Sequence, residues 1–441
     1  MRQMKDSGIE WIGEIPESWS VSKIKMLADS EQENSFMDGD WIESPYIEDE
    51  GIRYLTTGNI GDGIFKQQGS GFISNATFDE LQCKYAYPGD LIFSRLNEEY
   101  GRSCILPDDY GKYVIAVDNV ILRTKEEKRY ICYVTQCANY HTAVFFFARG
   151  TAMKRISRTN LGNITVPLPA IQQQTKIADF LDCKCAKIDS LIAHEEATIE
   201  ELKAYKQSVV TEAVTKGLDK SAPMKDSGVE WIGEIPGNWK ILRIKNLGWT
   251  QNGISKSGDF FGQGYPFVSY GDVYKNMVLP KSVNGLIETT AQERKNYSVQ
   301  ENDIFFTRTS ETVEEVGLSC ICKETIPDAT FAGFLIRLRL FNNKKIHIDY
   351  AKYYFRGTQI RNYLVKEMNL VTRASLGQDL LKAMSVTLPP MVEQQQIAEY
   401  LDKKCACIDG LVSSKQNKIE ELKEYKKSLI YEYVTGKKEV A

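Results

Sequence analysis

The stretch MKDSGIEWIGEIPESW (Met4–Trp19) returns as MKDSGVEWIGEIPGNW at Met224–Trp239, identical at thirteen of sixteen positions. A chain that repeats itself at an offset of 220 residues is expected to fold as two equivalent halves. The same offset links Leu168-Pro169 to Leu388-Pro389, IADFLD (Ile177–Asp182) to IAEYLD (Ile397–Asp402), and IEELKAYKQSVV (Ile199–Val210) to IEELKEYKKSLI (Ile419–Ile430). Between these blocks the halves scarcely resemble each other. Short echoes survive, YLTTGNI (Tyr54–Ile60) against FVSYGDV (Phe267–Val273) and GDLIFSR (Gly89–Arg95) against NDIFFTR (Asn302–Arg308), and both sit at offset 213. The pattern is one scaffold written twice around material that has diverged.

The preserved blocks read as two long helices. No Gly or Pro lies between Pro169 and Gly217, and Gly410 is the one interruption between Pro390 and Gly436. A preceding Pro and a following Gly are natural helix boundaries. The seam Leu181, Cys185, Ile188, Ile192, Glu195, Ile199, Leu202, Lys206, Val209, Ala213 is apolar at eight of ten positions, as is its counterpart from Leu401 to Tyr433. Seams sustained over several heptads predict a coiled coil. Each helix would be on the order of 70 Å long, and the nearest partner for its stripe is the other copy, paired antiparallel. Glu195 and Lys415 interrupt the two seams at equivalent places, so they are expected to set the register of the pair, or else to lie at its solvated edge. The divergent middles read as mixed α/β. VIAVDNVILR (Val114–Arg123) and FAGFLIRLRL (Phe331–Leu340) have the β-branched and aromatic density of strands, while RYICYVTQCANYHTAVFFFARG and DYAKYYFRGTQIRNYLVKE are more helical.

Composition narrows the function classes. Apolar content of 42% and charged content of 26% are those of a soluble globular protein. There is no apolar run of roughly eighteen residues and no apolar leader at the N-terminus, which predicts a cytoplasmic protein. Ten cysteines in that compartment are expected as reduced thiols. The pairs Cys183/Cys185 and Cys405/Cys407 fall in helix, where residues two apart face opposite ways, and the three histidines make no metal-binding spacing, so no metal is expected. The chain carries no phosphate-binding loop, dinucleotide fingerprint or nucleophile elbow. One enzyme-like pattern exists: Pro107-Asp108 followed by Glu126-Glu127-Lys128 fits the permissive spacing of metal-dependent nucleases, with Asp108, Glu126 and Lys128 as the reacting set. A stand-alone nuclease is therefore the alternative reading.

Charge distribution points elsewhere. The net charge is −4, yet no Asp or Glu occurs from Arg129 to Ala178. Tyr350–Val392 holds six basic residues against Glu367 and Asp379. Within these stretches GTAMKRISRTNLGN (Gly150–Asn163) and NLVTRASLGQD (Asn369–Asp379) combine cations with Thr, Ser, Asn and Gln, side chains suited to phosphates and base edges. The candidate DNA-binding residues are Arg149, Lys154, Arg155, Arg158, Arg361, Lys366 and Arg373, with Arg158 and Arg373 expected to hold matching places in S-R-T-N-L-G and T-R-A-S-L-G. Arg95 and Arg308 are further candidates, although an Arg closing a strand serves equally to pair with a local carboxylate.

Trp-Ile-Gly-Glu-Ile-Pro-x-x-Trp opening each half, G/N-D-x-I-F mid-domain, and L-P followed by Q-Q-x-x-I-A-x-[FY]-L-D into each long helix together resemble the specificity subunit of type I restriction–modification systems, over essentially the full chain. The resemblance implies an α/β (α+β) fold, with two pseudo-two-fold-related globular DNA-recognition domains joined by two long antiparallel coiled-coil helices. The expected boundaries are 1–170 and 218–390 for the recognition domains, and 171–217 and 391–437 for the helices. It implies that each domain reads one half of a bipartite, gapped, asymmetric site in double-stranded DNA, and that the helices set the spacing and dock two methyltransferase subunits. Restriction subunits would join them. It also implies no catalytic residue and no cofactor on this subunit, with S-adenosylmethionine, ATP and Mg2+ on the partners. One departure stands out: Ile171-Gln172-Gln173-Gln174 lacks the acid that Glu393 supplies in the second copy, so the first docking surface is expected to differ slightly.

Overall fold

The computed structural model describes residues 2–69, 71–96, 101–147, 154–310, 315–342, 344–367 and 374–440. The fold divides into two compact units that do not coincide with the two sequence repeats. The first comprises Met1–Glu196 together with Gln416–Ala441, and the second comprises Ala197–Lys415. Each unit therefore contains the beginning of one long helix and the end of the other, the helices being Ile171–Lys216 and Met391–Val434.

The divergent middles have kept one topology. In the first unit a four-stranded antiparallel sheet runs Phe36–Asp38, Asn119–Leu122, Leu91–Ser94, Ser103–Ile105. In the second the order Gly248–Asn252, Leu335–Leu340, Asp303–Thr307, Ser319–Ile321 is its equivalent. Beside it lies a smaller sheet with one parallel pair, Ile52–Leu55 with Tyr113–Ile115 in the first unit and Phe261–Val268 with Thr330–Phe331 in the second. The segments with strand-like composition are strands, and the two aromatic segments are helix pairs, Lys128–Thr135 with Ala138–Phe147 and Ile348–Tyr354 with Thr358–Glu367. Topology survives divergence because it depends on which positions are buried rather than on which apolar residue fills them.

The repeated opening motif is a hairpin. Met4–Asp6 pairs with Glu14–Pro16, and Met224–Asp226 with Glu234–Pro236, in the same register. Each hairpin delivers a tryptophan, Trp19 or Trp239, that is essentially fully buried. The indole N–H donates to Gln173 Oε1 at 2.9 Å in the first unit and to Glu393 Oε1 at 3.0 Å in the second. Gln and Glu thus accept the same hydrogen bond, and the amide-for-acid departure is absorbed inside each unit. The next residue, Gln174 or Gln394, ties the helix start to its globular part. Gln174 accepts from Glu127 N–H and donates to the Pro169 carbonyl, while Gln394 accepts from His347 N–H and donates to the Pro389 carbonyl.

The same tryptophans meet the end of a long helix. Gly436 (φ +71°) and Gly217 (φ +76°) terminate the helices in the left-handed region. A Cβ on Gly436 would lie 2.5 Å from Pro16 Cδ and 3.0 Å from Trp19, and one on Gly217 would lie 3.3 Å from Trp239. Just before these glycines, the hydroxyl of Tyr130 donates to the carbonyl of Val434, and that of Tyr350 to the carbonyl of Val214. The repeated hairpin is thus a dock for the end of a helix, which explains why both copies keep it.

Within the first unit the two helix segments run antiparallel: Asp189 meets Lys426 at 2.7 Å and Glu195, further along, meets the earlier Lys418 at 2.6 Å. In the second unit Lys206 meets Asp409 at 2.7 Å. The solvent-accessible pairs Asp189–Lys426 and Lys206–Asp409 contribute roughly 1 kcal/mol or less each, whereas Glu195 is buried; the apolar stripe does more. Every residue of the Leu181–Ala213 seam is buried or half-buried. All ten cysteines are free thiols and eight are buried. No helix among the described residues is long and apolar enough to cross a membrane.

Candidate nucleic-acid interface

The surviving mid-domain echo places one strand identically in both units. At its start Asp90 is gripped by Arg123 at 3.1 Å and by the Tyr87 N–H, and Asp303 by Arg339 at 2.6 Å and by the Gln300 N–H. These buried pairs fix the strand in its sheet, and removing one partner from such a pair costs several kcal/mol. At the strand's far end stand Arg95 and Arg308. Arg95 N–H donates to the Asp118 carbonyl and its own carbonyl accepts from Ile156 N–H. Arg308 N–H donates to the Phe334 carbonyl and its own carbonyl accepts from Leu376 N–H. In each unit the strand end is pinched between a tight turn and the segment entering a short helix, Arg158–Asn163 or Gln378–Ala383.

The side chains on this shared frame differ. Arg95 is buried, bonded to the Val117 carbonyl and 3.1 Å from Asp38. Burial holds its guanidinium below the ordinary value, opposed by the charge of Asp38. Arg308 bonds the equivalent carbonyl, that of Gly333, at 3.4 Å. Both arginines therefore brace the turn beside them. Arg155 and Arg158 are exposed and each reaches a carboxylate, Asp118 at 2.7 Å and Asp38 at 3.5 Å. Lys154 is exposed, with its ammonium 4.3 Å from the centre of the Phe145 ring. Asp38 and Asp118 thus orient three arginines, Arg95, Arg155 and Arg158, at one edge of the first unit, and Lys154 adjoins them in the chain. Sequence reasoning missed both acids; the signal was an acid at a strand end (FMDG, AVDN) with no local cation to pair with.

In the second unit the positions 220 residues on from Lys154 and Arg155 are Ala374 and Ser375, and the Thr309 hydroxyl lies 3.4 Å from that of Ser375. Gln378 stands where Arg158 stands in the first unit and accepts from the Thr250 hydroxyl at 2.8 Å. This corrects one expectation: Arg158 and Arg373 do not hold matching places, because the equivalent backbone bonds of Ile156 and Leu376 align Arg158 with Gln378. Arg361 is half-buried against Gly317, and Lys366 is exposed at the end of its helix. Arg149 and Arg373 lie outside the described residues. At these positions, among the described residues, the first unit offers cations where the second offers hydroxyls and an amide. The former suit phosphates and guanine edges, and the latter suit mixed donor–acceptor edges.

Two of the three residues of the nuclease-like pattern have other work. Glu126 accepts from Gln174 Nε2 at 2.6 Å, the Lys128 ammonium bonds the Gly89 carbonyl, and Asp108 lies on an exposed loop. Among the described residues no group of three His, Cys, Asp or Glu could hold a metal ion.

Comparison with known proteins agrees with this architecture. The family model for the type I restriction modification DNA specificity domain matches residues 16–204 and again 236–423. The chain is 23% identical to a putative type I restriction enzyme MjaX specificity subunit from Methanocaldococcus jannaschii, over 97% of this chain and 95% of the relative. It is also 23% identical to the EcoKI specificity subunit from Escherichia coli, over 96% and 90%. A chain from a structure concerned with complex assembly and conformational transition of the type I R-M system superposes with a TM-score of 0.72 at 14% identity, covering 95% of this chain and 98% of that one. The HsdS subunit from Thermoanaerobacter tengcongensis gives a TM-score of 0.53 at 14% identity, covering 96% and 98%.

Proposed function

This chain belongs to the type I restriction modification DNA specificity family, and from that membership we propose that its two recognition domains, residues 1–170 and 218–390, each read one half of a bipartite, gapped, asymmetric DNA target. It is the non-catalytic specificity subunit of such a system. The observation that carries the proposal is the shared frame at Arg95 and Arg308 bearing different side chains in the two units. Equal backbones position equal phosphates, while unequal side chains select unequal bases.

The helices, residues 171–217 and 391–437, space the two readers and dock two methyltransferase subunits. The support is an exposed pair that occurs twice. Leu191 (47% exposed) and Tyr425 (56%) belong to the first unit, and their repeat equivalents Leu411 (49%) and Tyr205 (49%) to the second. Two copies of one apolar pair suit two copies of one partner. Adenine methylation would draw on S-adenosylmethionine bound by those partners, and cleavage on ATP and Mg2+ bound by restriction subunits, all in the cytoplasm. Glu195, already held by Lys418, and Lys415 act together in setting the helix register. A double-mutant cycle on melting is expected to give a coupling of about 0.5 kcal/mol, and additive single mutants would remove that role.

The deciding experiment expresses the chain with its methyltransferase partner in a methylation-free host and maps adenine methylation across the genome. A gapped, asymmetric motif is expected. Replacing residues 28–150 with the corresponding segment of a relative should change one side of the motif only. A change on both sides, or no motif from an intact complex, would sink the proposal.

A further inference from the structure

The helix Ala138–Phe147 ends in three consecutive phenylalanines, Phe145, Phe146 and Phe147, which are 48%, 80% and 50% exposed. The helix seats itself through Tyr140 and Val144, both fully buried and one turn apart. Successive helical residues diverge by about 100°, so three adjacent rings cannot share that buried face. The scaffold does not require them. The equivalent helix Thr358–Glu367 has the same length and the same buried pair, Ile360 and Leu364, yet ends in Val365, Lys366 and Glu367. Adjacent exposed aromatic rings on a folded surface mark something that covers them.

The surroundings say what that is. Lys154 packs on the Phe145 ring, and the Asn160 side-chain amide donates to the Phe147 carbonyl at 3.4 Å. Arg155 and Arg158 follow in a stretch without a single acid from residue 129 to 178. The nearby carboxylates, Asp38 and Asp118, are already engaged by Arg95, Arg155 and Arg158. An apolar tip with Lys154 on one of its rings, and with Arg155 and Arg158 following in the chain, fits an occupant with apolar features set among negative charges, which is a DNA groove. In the major groove the apolar feature of a base pair is the C5-methyl of thymine.

Resting on the DNA-reading function above, we propose that the phenylalanine tip makes apolar contact with a thymine methyl in the half-site read by the first unit, with Phe146 as its centre and Lys154 on an adjacent phosphate. This half-site is then read partly by shape and methyl contact.

The test uses the chain in complex with its methyltransferase and duplexes carrying the mapped motif, each thymine of the first-unit half-site being replaced in turn by deoxyuridine. At one position the parent complex should lose affinity about fourfold, the effect of one buried methyl group. Phe146→Ala should lose a similar factor on the thymine duplex and become indifferent to the replacement, whereas Phe146→Leu should keep most of the sensitivity. Phe146 is mostly solvent-exposed, so its variants are expected to melt with the parent. A parent insensitive at every thymine, or a Phe146→Ala complex that stays sensitive, would overturn the proposal. So would a variant that binds DNA normally but separates from the methyltransferase on gel filtration, which would make the tip a protein contact. A parent complex with no sequence preference at all would instead refute the specificity function on which the proposal rests.

Discussion

A chain truncated after Ala222 is expected to purify as a homodimer with no folded monomer. The first unit is completed by residues that this truncation removes: Leu429, Ile430 and Val434 are 5%, 3% and 0% exposed there. Burial of each contributes on the order of 2 kcal/mol, so their loss approaches the whole stability of a domain, roughly 5–15 kcal/mol. The cut chain still carries their equivalents, Val209, Val210 and Val214, which in the intact protein complete the second unit. Two copies can therefore exchange helix ends, each offering its Val214 carbonyl to the Tyr130 hydroxyl of the other in place of Val434. Light scattering coupled to size exclusion at micromolar concentration should give twice the chain mass. A stable, cooperatively melting monomer would show that the helix end is dispensable to the unit.

Replacing Trp19 or Trp239 by Ala is expected to be the most damaging single substitution in its unit. Each indole is at most 2% exposed. Each also joins three things at once: the hairpin that carries it, the start of one long helix through Gln173 or Glu393, and the end of the other at Gly436 or Gly217. Truncating a buried Trp costs about 3–5 kcal/mol, and for a domain of this size that lowers the melting temperature by roughly 10 °C. Trp→Phe should fall between, since it keeps most of the apolar volume and leaves one acceptor unpaired. Calorimetry on the full chain measures all three, and a shift of less than about 2 °C for Trp→Ala would mean that the join depends on other contacts.

Much of this protein is legible without a structure because its scaffold is written twice. The long helices follow from Pro and Gly boundaries and an apolar seam, and every residue of the Leu181–Ala213 stripe is at least half-buried. The absence of familiar catalytic motifs and the acid-free stretch from Arg129 also needed only the sequence. These are local or periodic signals, and a chain displays them in the order in which it is written.

The candidate interface was less legible. Arg95 and Arg155 look alike as letters, yet one is buried as a brace for a turn and the other stands exposed beside Asp118. What separates them is the pairing of residues far apart in sequence, Leu96 with Arg155 and Asp38 with Arg95. The match of Arg158 to Gln378 rather than Arg373 likewise rests on backbone hydrogen bonds of Ile156 and Leu376. The sequence by itself determined the duplication, the helices and the class of surface to look for, because periodicity and composition are properties of the linear chain. The tertiary structure alone decided which helix end completes which unit and which cations are exposed rather than buried. Both depend on contacts between residues tens to hundreds of positions apart, as between Tyr130 and Val434, and a sequence pattern carries no record of such a closure.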